Sequence, residues 1–263
     1  MTLIQSILIG LVEGITEFLP ISSTGHMILT SHFMGLADEK TATFEVFIQL
    51  GAILAVVAAY PKRFLGLLNF HNSDSFSGLN GIKRLILTTL PALGLGALLH
   101  HWIKAHLFTP ETVVIGLALG GVAIIILEKK LKSFHIDSLD NLPLQTAFFI
   151  GCFQCLALWP GVSRAAATIL GAMFLGVNRK TATEYSFFAA VPVMCAAVLL
   201  DLYKSLPLLQ SSDIPIFAVG FLIAFFSAWL AIRSLIKLVS SNTLIGFGWY
   251  RIALATLVLL ILK

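Results

Sequence analysis

Apolar residues in this chain run in long blocks. Six of them, near residues 43–60, 82–99, 110–128, 184–203, 214–232 and 243–262, are bounded by polar or charged loops. Crossing about 30 Å of hydrocarbon takes roughly 20 helical residues, so each block predicts a full transmembrane helix. Two further stretches, 1–30 and 144–176, are interrupted near the middle, by LPISSTGH (19–26) and by WPGVSR (159–164). Proline and consecutive small polar residues stop a helix and expose backbone groups that hydrocarbon cannot satisfy. Such breaks survive where protein encloses them or where they line a polar cavity. Both stretches therefore predict re-entrant helix-loop-helix hairpins with tips near mid-membrane. They also echo each other: GLVE (10–13) matches GCFQ (151–154), each followed by a proline and then a serine.

Positive charge sets the orientation, because Lys and Arg of short loops concentrate on the cytoplasmic side. Lys62, Arg63, Lys83, Arg84, Lys129, Lys130, Lys132, Arg179, Lys180, Arg233 and Lys237 fall in one set of alternate loops. Lys40, Lys104, Lys204 and Lys263 fall in the other, a bias of eleven against four. Threading the spans through this bias brings hairpin 1–30 in from the outside and hairpin 144–176 in from the inside. Spans 184–203, 214–232 and 243–262 then run opposite to 43–60, 82–99 and 110–128. The expected fold class is an all-α polytopic membrane protein: an inverted-topology repeat with two re-entrant hairpins and about six full transmembrane helices. The halves are 1–140 and 141–263, together one membrane domain. Arg251, inside the last block, either snorkels, marks a later helix start or faces the bundle.

Composition agrees with this reading. Hydrophobic residues make up 58% and charged residues 11%, with a mean hydropathy of +0.95, too little charge to cover a soluble surface of this size. The net charge of +4 comes with no basic tract interleaved with aromatics, so nucleic-acid binding is not expected. The opening MTLIQSILIGLVEGITEF has a glutamate pair and no basic start, and reads as a structural segment rather than a leader. Cys152, Cys155 and Cys195 lie in apolar runs and read as small buried side chains. His100, His101 and His106 read as surface residues of an outside loop, and the Gly116/Gly120 pair as a close helix contact at most.

Ionisable groups in hydrocarbon cost several kcal/mol each, which makes them candidates for function. Glu13 and Glu17 are four apart on a helix and point the same way. Two carboxylates so placed suit a shared proton, a nearby arginine or a hard divalent cation, Mg²⁺ or Ca²⁺. Glu45 and Glu184 read as equivalent positions at the start of the first span of each half. At the first tip, Ser22, Ser23, Thr24 and Gly25 can form an anion-binding concavity with the N-terminus of the helix that follows. His26 beyond them can take a proton from a hydroxyl, attack phosphorus, or donate to a leaving oxygen. At the second tip, Ser163, Arg164 and Thr168 repeat the theme, the guanidinium matching phosphate oxygens or pairing with Glu13 or Glu17. A phosphate head between the tips with a hydrocarbon tail running into lipid fits this distribution of polarity.

The segments GLVEGITEFLPISSTGHMIL, FEVFIQLGAILAV, ALWPGVSRAAATI and EYSFFAAVPVM resemble the bacitracin-resistance type of undecaprenyl-diphosphate phosphatase over nearly the whole chain. The resemblance places that family's two glutamates on Glu13 and Glu17, its hydroxyl-and-histidine segment on Ser22, Ser23 and His26, and its second motif on Ser163, Arg164 and Thr168. Ala165 and Ala166 stand where the family usually has serine and glycine, so no role carries over there. What the resemblance implies is hydrolysis of undecaprenyl diphosphate at the outer, periplasmic face of the bacterial plasma membrane. It also implies a divalent cation and leaves room for a homodimer. Ser23 is the first choice of nucleophile with His26 as base, direct attack by His26 or water being the alternative. A polyprenyl-phosphate transporter or flippase is the rival function, because inverted repeats with broken helices are also a transport architecture.

Overall fold

The computed structural model describes residues 1–36, 38–70, 75–107, 109–131 and 133–261; Lys132 and Lys263, counted in the charge bias, lie outside them. Eleven α-helices are present among the described residues: α1 (Leu3–Thr16), α2 (Ser23–Phe33), α3 (Glu39–Ala59), α4 (Pro61–Leu67), α5 (Gly78–His106), α6 (Pro110–Lys130), α7 (Leu144–Gln154), α8 (Arg164–Phe174), α9 (Arg179–Ser205), α10 (Ile214–Ser241) and α11 (Ile245–Ile261). Among these residues the only β-type pairing is an isolated bridge between Ile136 and Val177.

Length separates the helices into two kinds. Helix α1 has 14 residues and α2, α7 and α8 have 11 each, which at about 1.5 Å per residue falls short of about 30 Å of hydrocarbon. Five helices, α3, α5, α6, α9 and α10, are long and apolar enough to cross a membrane, and α11 follows with 17 residues. The chain is thus an all-α, polytopic membrane protein. The predicted span limits hold to within a few residues except at three places. The stretch 61–84, expected as a loop, contains α4 and the first turns of α5. The expected outside loop with His100, His101 and His106 is instead the C-terminal end of α5, because no breaker precedes Leu107. Helix α10 runs nine residues beyond its predicted end at 232.

Helices α3 and α9 start at side-chain caps. Asp38 accepts from the Thr41 amide at 2.6 Å and Asn178 from the Thr181 amide at 2.8 Å, each satisfying an otherwise free N–H of the first turn. The two caps also set a register. Glu45 lies seven residues after Asp38 but Glu184 only six after Asn178. Counted from their caps the two glutamates are one residue out of step, about 100° around the helix, and the residue seven after Asn178 is Tyr185.

The first helix of each broken pair leans on a long helix of the other half, α1 on α10 and α7 on α5, while α3 meets α9 and α6 meets α11. A glycine permits each of the first two contacts. A Cβ on Gly10 would stand 2.6 Å from the Gly220 carbonyl oxygen, and one on Gly151 2.5 Å from that of Thr88. Lipid is as apolar as leucine, so close packing of this kind, rather than the hydrophobic effect, holds such helices together. The largest buried cluster joins both halves, with Phe18, Val56 and Ile124 against Ile150, Ile169, Phe187 and Phe188.

The segment joining the halves is fastened down. Asp140 accepts from Arg63 at 2.8 Å and from the Phe76 amide at 2.7 Å, and Arg84 donates to the Leu142 carbonyl at 2.7 Å. The amides of His135 and Ile136 donate to Gly176. The start of α9 is tied to the end of α6 by the Arg179–Glu128 ion pair.

Candidate active site

Both interrupted stretches break where the sequence places proline. After α1 the chain turns through residues 17–22. After α7 a 3₁₀ turn, Cys155–Leu158, leads into the break at 159–163. Each break ends on a serine with positive φ, Ser22 at 68° and Ser163 at 74°, which serves as the N-cap of the next helix. L-residues seldom adopt this backbone, and about 1–3 kcal/mol of strain per residue persists only where the surroundings enforce it.

The two tips face one polar cavity of ≈ 170 Å³, lined by Glu17, Ser22, Ser23 and Thr24 from the first tip and Pro160, Gly161, Ser163 and Arg164 from the second, with Gln49 on α3. The helices α2 and α8 both begin at this space, so their N-terminal amides and dipoles favour an anion there. Ser163 spends its hydroxyl on its own helix, accepting from the Ala166 amide at 3.2 Å. Ser22 caps nothing, and its buried hydroxyl has no protein partner.

Glu17 links the tips. One carboxylate oxygen accepts from the Ser23 hydroxyl at 2.7 Å; the other stands 3.4 Å from Arg164 Nη2. Arg164 is further fixed by donating Nη1 to the Ser186 carbonyl at 3.0 Å and hydroxyl at 3.3 Å, and by the Phe18 ring 5.7 Å from its Cζ. Its Nε is buried and unpartnered. An unpaired N–H of a buried cation is costly, and the Arg164 Nε and Ser22 hydroxyl are the groups here that an anion could satisfy.

The remaining expected residues lie around this centre. Thr168 is fully buried and does not line the cavity; its hydroxyl bonds Ser186 at 2.6 Å and so steadies the group that holds Arg164. Gly25 packs against Leu117. Glu13 is 1% exposed, one turn below Glu17, with one carboxylate oxygen unpartnered. His26 does not bond Ser23. Its Nδ1–H donates to the Ser22 carbonyl at 2.8 Å, leaving Nε2 to accept from the Tyr250 hydroxyl at 2.6 Å. The ring is turned back toward the tip, and Glu17 occupies the place beside Ser23 expected for a base.

A larger space, ≈ 680 Å³, is lined by Leu19, Ile21, Leu238, Asn242, Thr243, Gly246, Phe247 and Tyr250. None of these lining residues is charged, in contrast to the smaller cavity with Glu17 and Arg164.

The family model of the bacitracin resistance protein BacA matches residues 6–257. The chain belongs to the BacA family. Among BacA-type relatives, the undecaprenyl-diphosphatase of Maridesulfovibrio salexigens is 53% identical over 258 residues, covering 98% of both chains. That of Nitratidesulfovibrio vulgaris (strain DP4) is 53% identical over 256 residues, covering 97% of both. That of Lawsonia intracellularis is 47% identical over 259 residues, covering 98% of this chain and 97% of its own.

Two residues of this BacA chain bear on the site without having been singled out for it. Tyr250 holds His26. Arg251, 0% exposed, faces the bundle, which settles the three readings open to it: it donates to Pro20 (3.2 Å), Val162 (2.9 Å), Gly161 (2.8 Å), Gly116 (3.0 Å) and Leu117 (3.3 Å), all main-chain carbonyls. A charged residue in an apolar block signals some buried role, yet nothing local says that its partners are the two tips.

Proposed function

We propose that this chain is a polyprenyl-diphosphate phosphatase, hydrolysing undecaprenyl diphosphate to undecaprenyl phosphate and inorganic phosphate and so returning the lipid carrier to cell-wall synthesis. Family membership supports the reaction. The observation that carries it to particular atoms is the Ser23–Glu17–Arg164 chain of contacts at one cavity.

The diphosphate head enters between the tips, its oxygens meeting Arg164 Nε, the Ser22 and Thr24 hydroxyls and the two helix N-termini. The prenyl tail runs out into lipid. Ser23 Oγ attacks the terminal phosphorus while its proton passes to Glu17, 2.7 Å away. The bond from that phosphorus to the bridging oxygen breaks, and polyprenyl phosphate leaves with the electron pair, taking up the proton held by Glu17. Water, losing a proton to the freed Glu17 carboxylate, then cleaves the phosphoserine, and Glu17 returns that proton to Ser23 Oγ as inorganic phosphate departs. Charge building on the transferred phosphoryl oxygens is met by Arg164 and the amides already aimed at them. Direct attack by water oriented on Glu17 is the second reading, supported by the same carboxylate.

Glu13 and Glu17 would hold a divalent cation. The unpartnered oxygen of Glu13 and an all-oxygen donor set suit Mg²⁺ or Ca²⁺, although among the described residues no group of three or more His, Cys, Asp or Glu stands assembled as a metal site. When bound, such a cation neutralises phosphate charge.

In this reading the interrupted stretches are re-entrant hairpins, and residues 1–140 and 141–263 are the two halves of an inverted repeat. The support is the twice-repeated order of broken pair and three long helices, the cross-packing of α1 on α10 and α7 on α5, and the strained serine at each tip. The charge bias supports a cavity that opens to the periplasmic face of the plasma membrane. The partners are the membrane and its polyprenyl diphosphate, with no nucleic acid; a homodimer is compatible with the fold.

The test is phosphate release from undecaprenyl diphosphate by purified protein in detergent micelles, with and without chelator. Release that chelator abolishes and Mg²⁺ or Ca²⁺ restores is expected. A protein that moves labelled lipid across sealed vesicles yet releases no phosphate would return the reading to the transporter.

A further inference from the structure

We infer that Arg251 is the positioning residue of this site: its guanidinium ties the main chains of the two tips to each other and to α6, and that registration brings Ser23, Glu17 and Arg164 together. The inference rests on the hydrolase reading.

Arg251 is as deeply buried as any charged residue here, yet none of its hydrogen bonds goes to a carboxylate. It does not line the cavity either, so substrate is not its partner. Its bonds go to carbonyls, three of them in the breaks at Pro20, Gly161 and Val162, where the helix ladder leaves main-chain oxygens unpaired. The remaining two, Gly116 and Leu117, anchor the fork to the middle of α6. One planar group with five donors satisfies all five bonds at once, and an ammonium cannot copy that geometry.

The gripped carbonyls adjoin the strained residues. Val162 directly precedes Ser163, and Pro20 lies two residues before Ser22. The clamp thus acts on the peptide units that aim α2 and α8 at the cavity, one from each half of the chain. Gly120 makes room for it. A Cβ there would stand 2.0 Å from Arg251 Nη2 and 2.6 Å from Cζ, so Gly120→Ala displaces the guanidinium without removing its charge or touching the cavity.

The experiment uses the full chain in detergent with undecaprenyl diphosphate, reading kcat, KM, the folded fraction and amide exchange at residues 21–24 and 163–166. For Arg251→Lys, kcat per folded molecule falls about 10²-fold with KM within about threefold, as expected when reacting groups are misplaced rather than lost. Gly120→Ala lowers kcat about tenfold, and adding it to Arg251→Lys costs little more, since both act through one group. Exchange quickens at both tips together.

Wild-type kcat per folded molecule in Arg251→Lys overturns the inference, and so does exchange that rises at one tip only. If Arg251→Lys does not fold, Gly120→Ala decides by the same two readings. If wild-type protein releases no phosphate, the hydrolase reading fails, and paired exchange still decides whether the clamp exists.

Discussion

Glu17 and Arg164, 147 residues apart in the chain, stand 3.4 Å apart between the two tips, and neither is fully spent on the other. Glu17 also holds Ser23, and Arg164 keeps Nε unbonded. A lone charge at this depth would be costly, whereas the pair is neutral as a whole. In the proposed mechanism an entering diphosphate completes the bonding of Arg164 while Glu17 remains beside the hydroxyl it would deprotonate, which makes the ion pair a resting arrangement that substrate reorganises.

Arg164→Ala lowers kcat/KM by at least about 10²-fold, the scale seen when a preorganised charge-stabilising donor is lost. Arg164→Lys recovers only part of this, because Lys cannot bond Glu17, Ser186 and substrate at once. Steady-state phosphate release checks both.

Ser23→Ala and Ser22→Ala separate nucleophile from binding group. The first reduces kcat by at least about 10³-fold. The second chiefly raises KM, since it removes one hydrogen bond to the head, a change of about tenfold. Rapid quenching with terminally labelled diphosphate locates the trapped phosphate: on Ser23 if the serine attacks, on no residue if water does.

His26→Ala and Tyr250→Phe each reduce turnover by about tenfold, since the ring's bond to the Ser22 carbonyl steadies the first tip rather than serving as base for Ser23. If the tyrosine acts by holding the ring, the two losses do not add, because among the described residues His26 is the hydrogen-bond partner of its hydroxyl. Additive losses would mean that the 2.6 Å contact is incidental.

Asp140→Asn loosens the joining segment without touching the cavity. Partial burial pushes the Asp140 carboxyl up, but the bonds from Arg63 and the Phe76 amide outweigh it and hold it below the usual carboxylate range. Its contribution to stability is therefore present above the unfolded value of about 3.9 and is lost as pH falls through the lower folded one. Partial exposure limits the loss to about 1 kcal/mol. Thermal unfolding at pH 7 shows a lower midpoint with kcat unchanged, and the difference from wild type shrinks toward pH 3.

Much of this arrangement is written into local sequence. Proline with small polar residues marked both breaks, long apolar blocks marked the helices, and Glu13, Glu17, Ser23 and Arg164 stood out as polar residues in apolar company. Less legible were relations set by side-chain direction. Whether Ser23 turns to His26 or to Glu17 depends on rotamers within one turn of chain, and the imidazole is drawn away by the Ser22 carbonyl and Tyr250. Counted from their helix caps, Glu45 and Glu184 differ by one residue in register, which pattern-matching by residue type conceals. Arg251 was visible as an anomaly, but its five acceptors are main-chain oxygens and leave no trace in the residue types around it.

The most direct measurement is a double-mutant cycle on phosphate release with Glu17→Ala, Arg164→Ala and the doubly substituted protein, each confirmed folded. Groups acting on one phosphoryl transfer are interdependent: each single change costs at least about 10²-fold, and the double change costs far less than the product of the two. Near-normal turnover by Arg164→Ala, or losses that multiply as if the two residues served separate sites, would contradict the account.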